Sequence, residues 1–202
     1  MKLYHSPTTP FGRKVMVHLI ETGQASDVTV VPVTGTPTSP GTMPVDQNPL
    51  GKIPALVLDD GTAIYDSRVI TRYLDDRAGG RLYPPAPGLW KTLTLEATAD
   101  GMLDAAILMV YEVRIRPEDK RFGDWVEAQW AKVSRALDAL EDRWAEHLNG
   151  PIDMGQVAVG CALSYLDFRH GDRNWRAGRP ALAGWYGAFS ARDSMKQTEP
   201  VA

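Results

Sequence analysis

The turn Ser6-Pro7-Thr8-Thr9-Pro10-Phe11 concentrates hydroxyl groups between an expected strand and an expected helix. Unpaired N–H groups and the positive end of the helix dipole attract an anion at such a position. A hydroxyl of Ser6, Thr8 or Thr9 would there suit the stabilisation of a thiolate. The same residue types also serve in ordinary turns, so Ser6 or Thr8 can instead close the turn while Thr9 caps the helix.

Two later segments also offer groups that can bind a ligand. A cis Ile53-Pro54 bond would leave the backbone of Ile53 free to pair with a peptide-like ligand, whereas a trans bond would simply open a strand. Asp66-Ser67 brings a carboxylate, a hydroxyl and free helix N–H groups, which suit the carboxylate or the α-amino group of a ligand. Both residues are equally suited to capping the helix that follows.

The sequence lacks the usual signatures of nucleotide and metal sites. Gly51-Lys52-Ile53 has neither the other P-loop glycine nor a Ser or Thr after the lysine, and no GxGxxG follows a predicted strand. The histidines are scattered and form no HExxH or paired-ligand spacing: His5, His18, His147 and His170. We therefore expect no metal site and no phosphate-binding glycine loop.

Composition indicates a soluble globular protein. The chain has 202 residues, 44% hydrophobic and 23% charged, and its formal net charge of −3 argues against a nucleic-acid partner. The single cysteine, Cys161, can form neither an internal disulfide nor a CxxC pair, which favours a reducing compartment, the cytoplasm. No stretch is apolar enough to span a membrane, and the N-terminus lacks the apolar region of a signal peptide.

The N-terminal part of the chain predicts the order β-α-β-loop-β-β-α. Asp59-Asp60-Gly61 between two apolar runs predicts a hairpin, and Gly79-Gly80 ends the helix after it. The expected elements are strands Lys2 to His5, Val28 to Val33, Ala55 to Leu58 and Thr62 to Tyr65, with helices from Pro10 and from Asp66 or Ser67. Residues 34–48 are expected to form an irregular loop.

A Pro- and Gly-rich stretch, residues 79–88, predicts a linker between domains 1–78 and 89–202. All six tryptophans lie beyond residue 85, where apolar residues recur at helical spacing. The second domain is therefore predicted to be an all-α helical bundle.

Within that bundle, Asp153 and Gln156 form an acidic variant of the capping box. The helix after it is small and apolar on all sides, which is typical of the centre of a bundle. A last helix is expected from about Pro180 through Ala188, followed by a polar tail.

Taken together, these segments resemble the cytosolic glutathione S-transferase family over essentially the whole chain. Its thioredoxin-like domain is similar to the first domain here, and its all-α domain to the second. The matching segments are the active-site turn and first helix (6–15), the cis-proline segment (48–58), the acidic-Ser motif (66–70), the capping-box helix (153–169) and C-terminal residues within 175–185 and 194–200.

The resemblance implies how glutathione would bind as co-substrate. Ile53, with Pro54 cis, would present its backbone to the cysteinyl part of glutathione. Asp66 and Ser67 would bind the γ-glutamyl end, and Lys52 would approach the glycyl carboxylate.

The catalytic hydroxyl is assigned to Thr9 by the same resemblance. The family commonly has serine or cysteine at this position, and threonine departs from that pattern because its β-methyl restricts the rotamer of its hydroxyl. Ser6, Thr8 and Tyr4 are the alternatives. The hydroxyl would stabilise the sulfur anion rather than act as a base.

The electrophile is expected on the helical domain. An apolar pocket drawn from residues 99–114 would include Met102 and Tyr111, with Phe11 from the first helix and a contribution from Trp175, although such residues more often form bundle core. Glu112 and Arg116 are expected to form a surface i,i+4 pair.

The sequence therefore predicts a glutathione transferase that forms a homodimer, acts in detoxification of a small hydrophobic electrophile and uses no metal. One alternative is a binding or scaffold protein that keeps this fold with little turnover. Another is a glutathione-dependent isomerase, dehalogenase or peroxidase.

Overall fold

The computed structural model describes residues 1–201, which divide into two compact units. Met1–Pro85 and the C-terminal segment from Asp193 form the first unit, and Ala86–Arg192 form the second. The first unit is α+β and the second is all-α, so the predicted fold class is confirmed.

The elements follow one another in the predicted order. The first unit begins with β1 (Lys2–His5), α1 (Pro10–Glu21), β2 (Thr29–Pro32), β3 (Ala55–Val57), β4 (Ala63–Ile64) and α2 (Ser67–Arg77). The second unit contains α3 (Gly88–Arg114), α4 (Gly123–Arg143), α5 (Ala145–Leu148), α6 (Met154–His170) and α7 (Pro180–Phe189). The chain then forms α8 (Asp193–Gln197), and short 3-10 helices span Ala25–Asp27, Glu118–Lys120 and Gly171–Arg173.

The sheet has the strand order β2-β1-β3-β4. β1 and β2 are parallel, joined through α1, whereas β3 is antiparallel to both β1 and β4. Pro32 ends β2 at the edge of the sheet, where the missing N–H interrupts no inner ladder.

The core of the first unit lies between the sheet and its two long helices. Leu3 and Leu56 are directly opposite each other on β1 and β3, and both are fully buried. Each helix adds an i,i+4 pair of buried side chains to the same cluster: Val15 and Leu19 from α1, and Ile70 and Leu74 from α2. This packing fixes the ends of the strands, and with them the loops described below.

The C-terminal segment belongs to the first unit, whereas the sequence analysis assigned all of residues 89–202 to the helical domain. Arg13 of α1 is buried and donates from Nη2 to the carbonyl of Met195 at 2.9 Å. Its Nε donates to Thr198 Oγ1 at 3.2 Å, and Ser194 Oγ donates to Glu21 at 2.5 Å. The expected polar tail is therefore a short helix hydrogen-bonded to α1.

In the helical unit, α3 and α6 run parallel and in close contact. Thr92 near the start of α3 donates to Asp153 at the start of α6 at 2.5 Å, and His170 Nε2 lies 3.0 Å from the carbonyl of Ala106 further along. A β-carbon at Gly155 would come within 2.9 Å of Leu95, so only glycine permits this approach. The predicted capping box of Asp153 and Gln156 is present.

None of the helices in residues 1–201 has both the length and the apolar character needed to cross a membrane.

Candidate functional site

Three loops of the first unit meet at the edge of its sheet that is formed by the end of β1, the start of β3 and the end of β4. Tyr4, near the end of β1, pairs with Ala55 at the start of β3, so the turn after β1 lies beside Ile53-Pro54. β4 is antiparallel to β3 and therefore ends at this same edge, where Asp66 begins α2. The topology thus brings together the three segments that the sequence singled out.

The start of α1 has unused hydrogen-bond donors. Thr9 is the N-cap residue in extended conformation, but its side chain makes no capping bond. Pro10 has no N–H, and no described residue accepts a hydrogen bond from the N–H of Phe11 or Gly12. The first helical bond runs from Arg13 N–H to the Thr9 carbonyl at 3.0 Å. One hydroxyl and two N–H groups therefore have no hydrogen-bond partner among the described residues.

The other hydroxyls of this turn contact each other. Ser6 Oγ and Thr8 Oγ1 are 3.3 Å apart, and the Ser6 carbonyl accepts a hydrogen bond from Thr9 N–H at 3.0 Å. The interpretation in which Ser6 closes the turn and Thr9 caps the helix is therefore met only in part, because the Thr9 side chain makes no capping bond.

The segment before β3 presents an unpaired backbone. The Ile53–Pro54 bond is cis, and neither the N–H nor the carbonyl of Ile53 hydrogen-bonds to any described residue. Asn48, a buried residue, shapes this loop: its Nδ2 donates to the Lys52 carbonyl at 2.8 Å and its Oδ1 accepts from Leu50 N–H at 3.1 Å. An extended ligand backbone can therefore pair with Ile53 as an added strand would.

Asp66 caps α2 and still faces solvent. Its Oδ1 accepts from Arg68 N–H at 3.0 Å, and the Arg68 guanidinium donates to Oδ2 at 2.9 Å. The Asp66 side chain is 53% exposed, whereas Ser67 is buried beside it. Burial raises the pKa of the Asp66 carboxyl, but the hydrogen bonds and charge of Arg68 lower it more, so the group stays ionised at neutral pH.

Comparison with known proteins identifies the protein family of both units. A family model described as the glutathione S-transferase N-terminal domain matches residues 3–82, and one described as the C-terminal domain matches residues 123–188. The chain belongs to the glutathione S-transferase family.

Individual glutathione S-transferase relatives cover the whole chain. It is 31% identical over 204 residues to the uncharacterized GST-like protein YibF of Escherichia coli K12, covering 99% of this chain and 98% of YibF. A crystal structure of a glutathione transferase family member from Pseudomonas fluorescens Pf-5 with bound glutathione is 43% identical, with a TM-score of 0.97 over 100% of this chain and 99% of that one. A second Pf-5 structure contains bound S-(propanoic acid)-glutathione, with 43% identity and a TM-score of 0.93 over 100% of both chains.

One residue at this candidate site was not foreseen from the sequence. His5, the last residue of β1, lies against the start of α1: a β-carbon at Gly12 would come within 2.2 Å of His5 Nδ1 and 2.7 Å of the Thr9 methyl. His5 Nδ1 is buried without a hydrogen-bond partner among the described residues, and burial lowers the pKa of His5 to about 4. Gly12, a poor helix former in the first turn, was the available signal.

The remaining predicted site residues have different surroundings. Lys52 is exposed in the loop that Asn48 shapes. Phe11 is half-buried on α1, Met102 is 2% exposed in α3, and Tyr111 is 38% exposed on the same helix. Their contact with a substrate stays a prediction.

Three further features of the helical unit are structural: Trp175, Cys161 and the Glu112–Arg116 pair. Trp175 is buried and donates from Nε1 to Asp167 at 2.7 Å, which is a core role. Cys161 is buried in α6, and Arg116 pairs with Glu112 at 2.9 Å as the i,i+4 spacing predicted. The pair is only partly at the surface, because the Glu112 side chain is 7% exposed.

Proposed function

We propose that this protein is a glutathione transferase that stabilises the thiolate of bound glutathione for attack on a small apolar electrophile. The observation that carries the proposal is the start of α1, where the Thr9 hydroxyl and the N–H groups of Phe11 and Gly12 have no partner among the described residues. The glutathione bound in the 43% identical Pseudomonas protein supports the choice of ligand.

Glutathione is recognised by the three loops at the sheet edge. Its cysteinyl backbone pairs with the N–H and carbonyl of Ile53 in antiparallel fashion. The α-ammonium of its γ-glutamyl end binds the ionised Asp66 carboxylate, and the adjoining carboxylate binds at Ser67, at the start of α2. Lys52 is close in sequence to Ile53 and, being exposed, approaches the glycyl carboxylate.

Thr9 and the helix start act on the sulfur. A free thiol has a pKa near 8.5, so only about 3% is ionised at pH 7. A hydroxyl hydrogen bond together with the helix N-terminus lowers the pKa of the bound thiol by about one or two units, and each unit corresponds to about 1.4 kcal/mol of preferential stabilisation of the anion.

The reaction is a nucleophilic substitution or addition in which the sulfur attacks an electrophilic carbon. The thiol proton leaves to water, the sulfur lone pair forms a bond to the electrophilic carbon, and the leaving group departs with its electron pair or the carbon acceptor is protonated. Thr9 donates a hydrogen bond throughout and takes no proton. We further propose a homodimer, which sedimentation of the purified protein tests directly.

The test combines a calorimetric glutathione titration with thiolate absorbance near 240 nm, followed against pH. We expect saturable binding and a thiol pKa clearly below 8.5. Absence of binding overturns the proposal. Binding with an unshifted pKa favours the alternative of a binding protein or of a glutathione-dependent isomerase, dehalogenase or peroxidase.

Replacing Thr9 tests its role. Thr9→Ala should raise the thiol pKa by about one unit and lower conjugation at pH 6 about tenfold. Thr9→Ser restores both if the hydroxyl is the active group, and Ser6→Ala and Thr8→Ala serve as matched controls in the same turn. An unchanged pKa in Thr9→Ala removes Thr9 from the mechanism.

A further inference from the structure

His5 and Thr9 share the space next to Gly12 at the start of α1. The position that a β-carbon on Gly12 would take lies 2.2 Å from His5 Nδ1, 2.9 Å from His5 Cε1 and 2.7 Å from the Thr9 methyl. Gly12 itself is buried. The imidazole ring therefore occupies the place that a larger residue would need for its side chain, and the methyl of Thr9 lies beside this ring.

Backbone hydrogen bonds hold both residues in place. The His5 carbonyl accepts from Val33 N–H at 3.0 Å, which ties the end of β1 to the residue after β2. Thr9 N–H donates to the Ser6 carbonyl at 3.0 Å, and the Thr9 carbonyl accepts from Arg13 N–H at 3.0 Å. Rotation about the Cα–Cβ bond of Thr9 is therefore the main freedom that remains to its hydroxyl.

The contact between His5 and Thr9 is one of packing. Threonine carries its methyl and its hydroxyl on the same carbon, so the direction of one decides the direction of the other. Because the Thr9 methyl lies beside the ring, the hydroxyl points elsewhere, and it bonds to no described residue. His5 Nδ1 is likewise buried without a hydrogen-bond partner among the described residues. Since burial lowers the pKa of His5 to about 4, the ring is uncharged near neutral pH.

We propose that His5 is a positioning residue that, resting on the proposed function, holds the Thr9 hydroxyl in the direction of the sulfur of bound glutathione. The ring supports the Thr9 rotamer in which the methyl faces His5 and the hydroxyl is left for a ligand. Without the ring, the other staggered rotamers of Thr9 become accessible, and in these the hydroxyl turns away from its present direction. Serine has no methyl for His5 to hold, so the role of the histidine depends on threonine at this position.

The first test needs no ligand. Nuclear magnetic resonance of the carbon-13-labelled Thr9 methyl measures its three-bond couplings to the backbone nitrogen and carbonyl carbon, which report the χ1 rotamer. We expect the couplings of one rotamer in the wild type and in His5→Phe, which keeps a ring beside the methyl, and averaged couplings in His5→Ala. Met16→Ala is the matched control, because Met16 is half-buried on α1 and packs against the core of the first unit, and it should leave the couplings unchanged. A single rotamer in His5→Ala overturns the proposal.

The second test measures the thiol pKa of bound glutathione by thiolate absorbance. Free choice among the staggered rotamers leaves about a third of the Thr9 side chains in the active one, so His5→Ala should raise this pKa by about half a unit. Conjugation of chlorodinitrobenzene at pH 6, with loss of chloride and of the thiol proton to water, should then slow about threefold. His5→Phe should keep the wild-type values. In the background of Thr9→Ser, His5→Ala should change neither quantity.

Two results of the second test overturn the proposal: an unchanged thiol pKa in His5→Ala, or an equal rise with and without Thr9→Ser. The latter would mean that His5 acts on the helix start as a whole and not through the Thr9 methyl. An unshifted thiol pKa in the wild type overturns the proposed function, whereas the ordering of Thr9 by His5 is decided by the methyl couplings alone. Far-ultraviolet circular dichroism of each variant excludes unfolding as the cause of a change.

Discussion

Helices α1 and α6 both begin after a polar N-cap residue, but only the N-cap side chain of α6 bonds to its helix. Each has a polar N-cap residue in extended conformation, Thr9 with φ −91° and ψ 122° and Asp153 with φ −139° and ψ 176°. Asp153 is saturated: it accepts hydrogen bonds from the Gln156 N–H at 3.0 Å and from Thr92 at 2.5 Å, and it lies 2.8 Å from His147 Nε2. The side chain of Thr9 makes no hydrogen bond with any described residue.

This difference separates a structural helix start from one available for chemistry. Satisfied donors and acceptors have nothing further to offer a ligand, whereas an open start keeps its N–H groups and dipole for an anion. Asp66 at α2 is intermediate, because Oδ1 caps the helix while half of the side chain remains exposed. Residue type alone does not distinguish the three, since each is a good N-cap.

The largest effect should come from Asp153→Ala. Losing the cap costs about 1 kcal/mol, and the buried partner Thr92 is left unsatisfied, which costs about 1–3 kcal/mol more. We therefore expect the free energy of unfolding, measured by urea denaturation, to fall by about 3 kcal/mol. Thr9→Ala is the comparison and should change it by less than about 0.5 kcal/mol, because no side-chain bond is lost. A similar loss in both variants would contradict the distinction between the two helix starts.

How far the sequence predicted these sites depends on how local their determinants are. The capping box at Asp153 was predictable because its reciprocal bonds lie within four residues, but Thr92 and His147 contact the same carboxylate from other helices. The three site loops were found in the sequence because each carries its own turn or cap signal. Their meeting at one sheet edge depends on the strand pairing, which residue types alone do not specify.

Burial that depends on tertiary contacts was not predictable in the same way. Arg13 looked like an ordinary polar residue of the first helix, yet it is buried and holds the C-terminal segment on α1. His5 was noted only as one of four scattered histidines, and its burial follows from the space that Gly12 leaves.

A smaller loss of unfolding free energy is expected as the pH falls, from the protonation of His5 beside the start of α1. Because burial lowers the pKa of His5 from 6.5 to about 4, the unfolded chain binds this proton more readily than the folded one. The contribution to stability is complete above pH 6.5 and is lost as the pH falls toward 4, by about 2 kcal/mol at pH 5. His5→Gln removes the titrating group, so its urea unfolding free energy should lose about 2 kcal/mol less than the wild type between pH 7.5 and 5. Equal pH dependence in the two proteins would mean that His5 titrates normally.

The smallest effect on stability should be that of Asp66→Asn, which separates the two roles of the intermediate helix start. Asparagine caps a helix as well as aspartate does, and the ion pair with Arg68 that it removes is about half exposed and contributes at most about 1 kcal/mol. We expect the free energy of unfolding to fall by less than about 0.5 kcal/mol, while glutathione affinity measured by calorimetry falls about tenfold because the α-ammonium loses its carboxylate. Asp66→Ala, in contrast, should lose the cap as well and about 1 kcal/mol of stability. If Asp66→Asn keeps full glutathione affinity, Asp66 is a cap like Asp153, and of the three helix starts only that of α1 is available to the ligand.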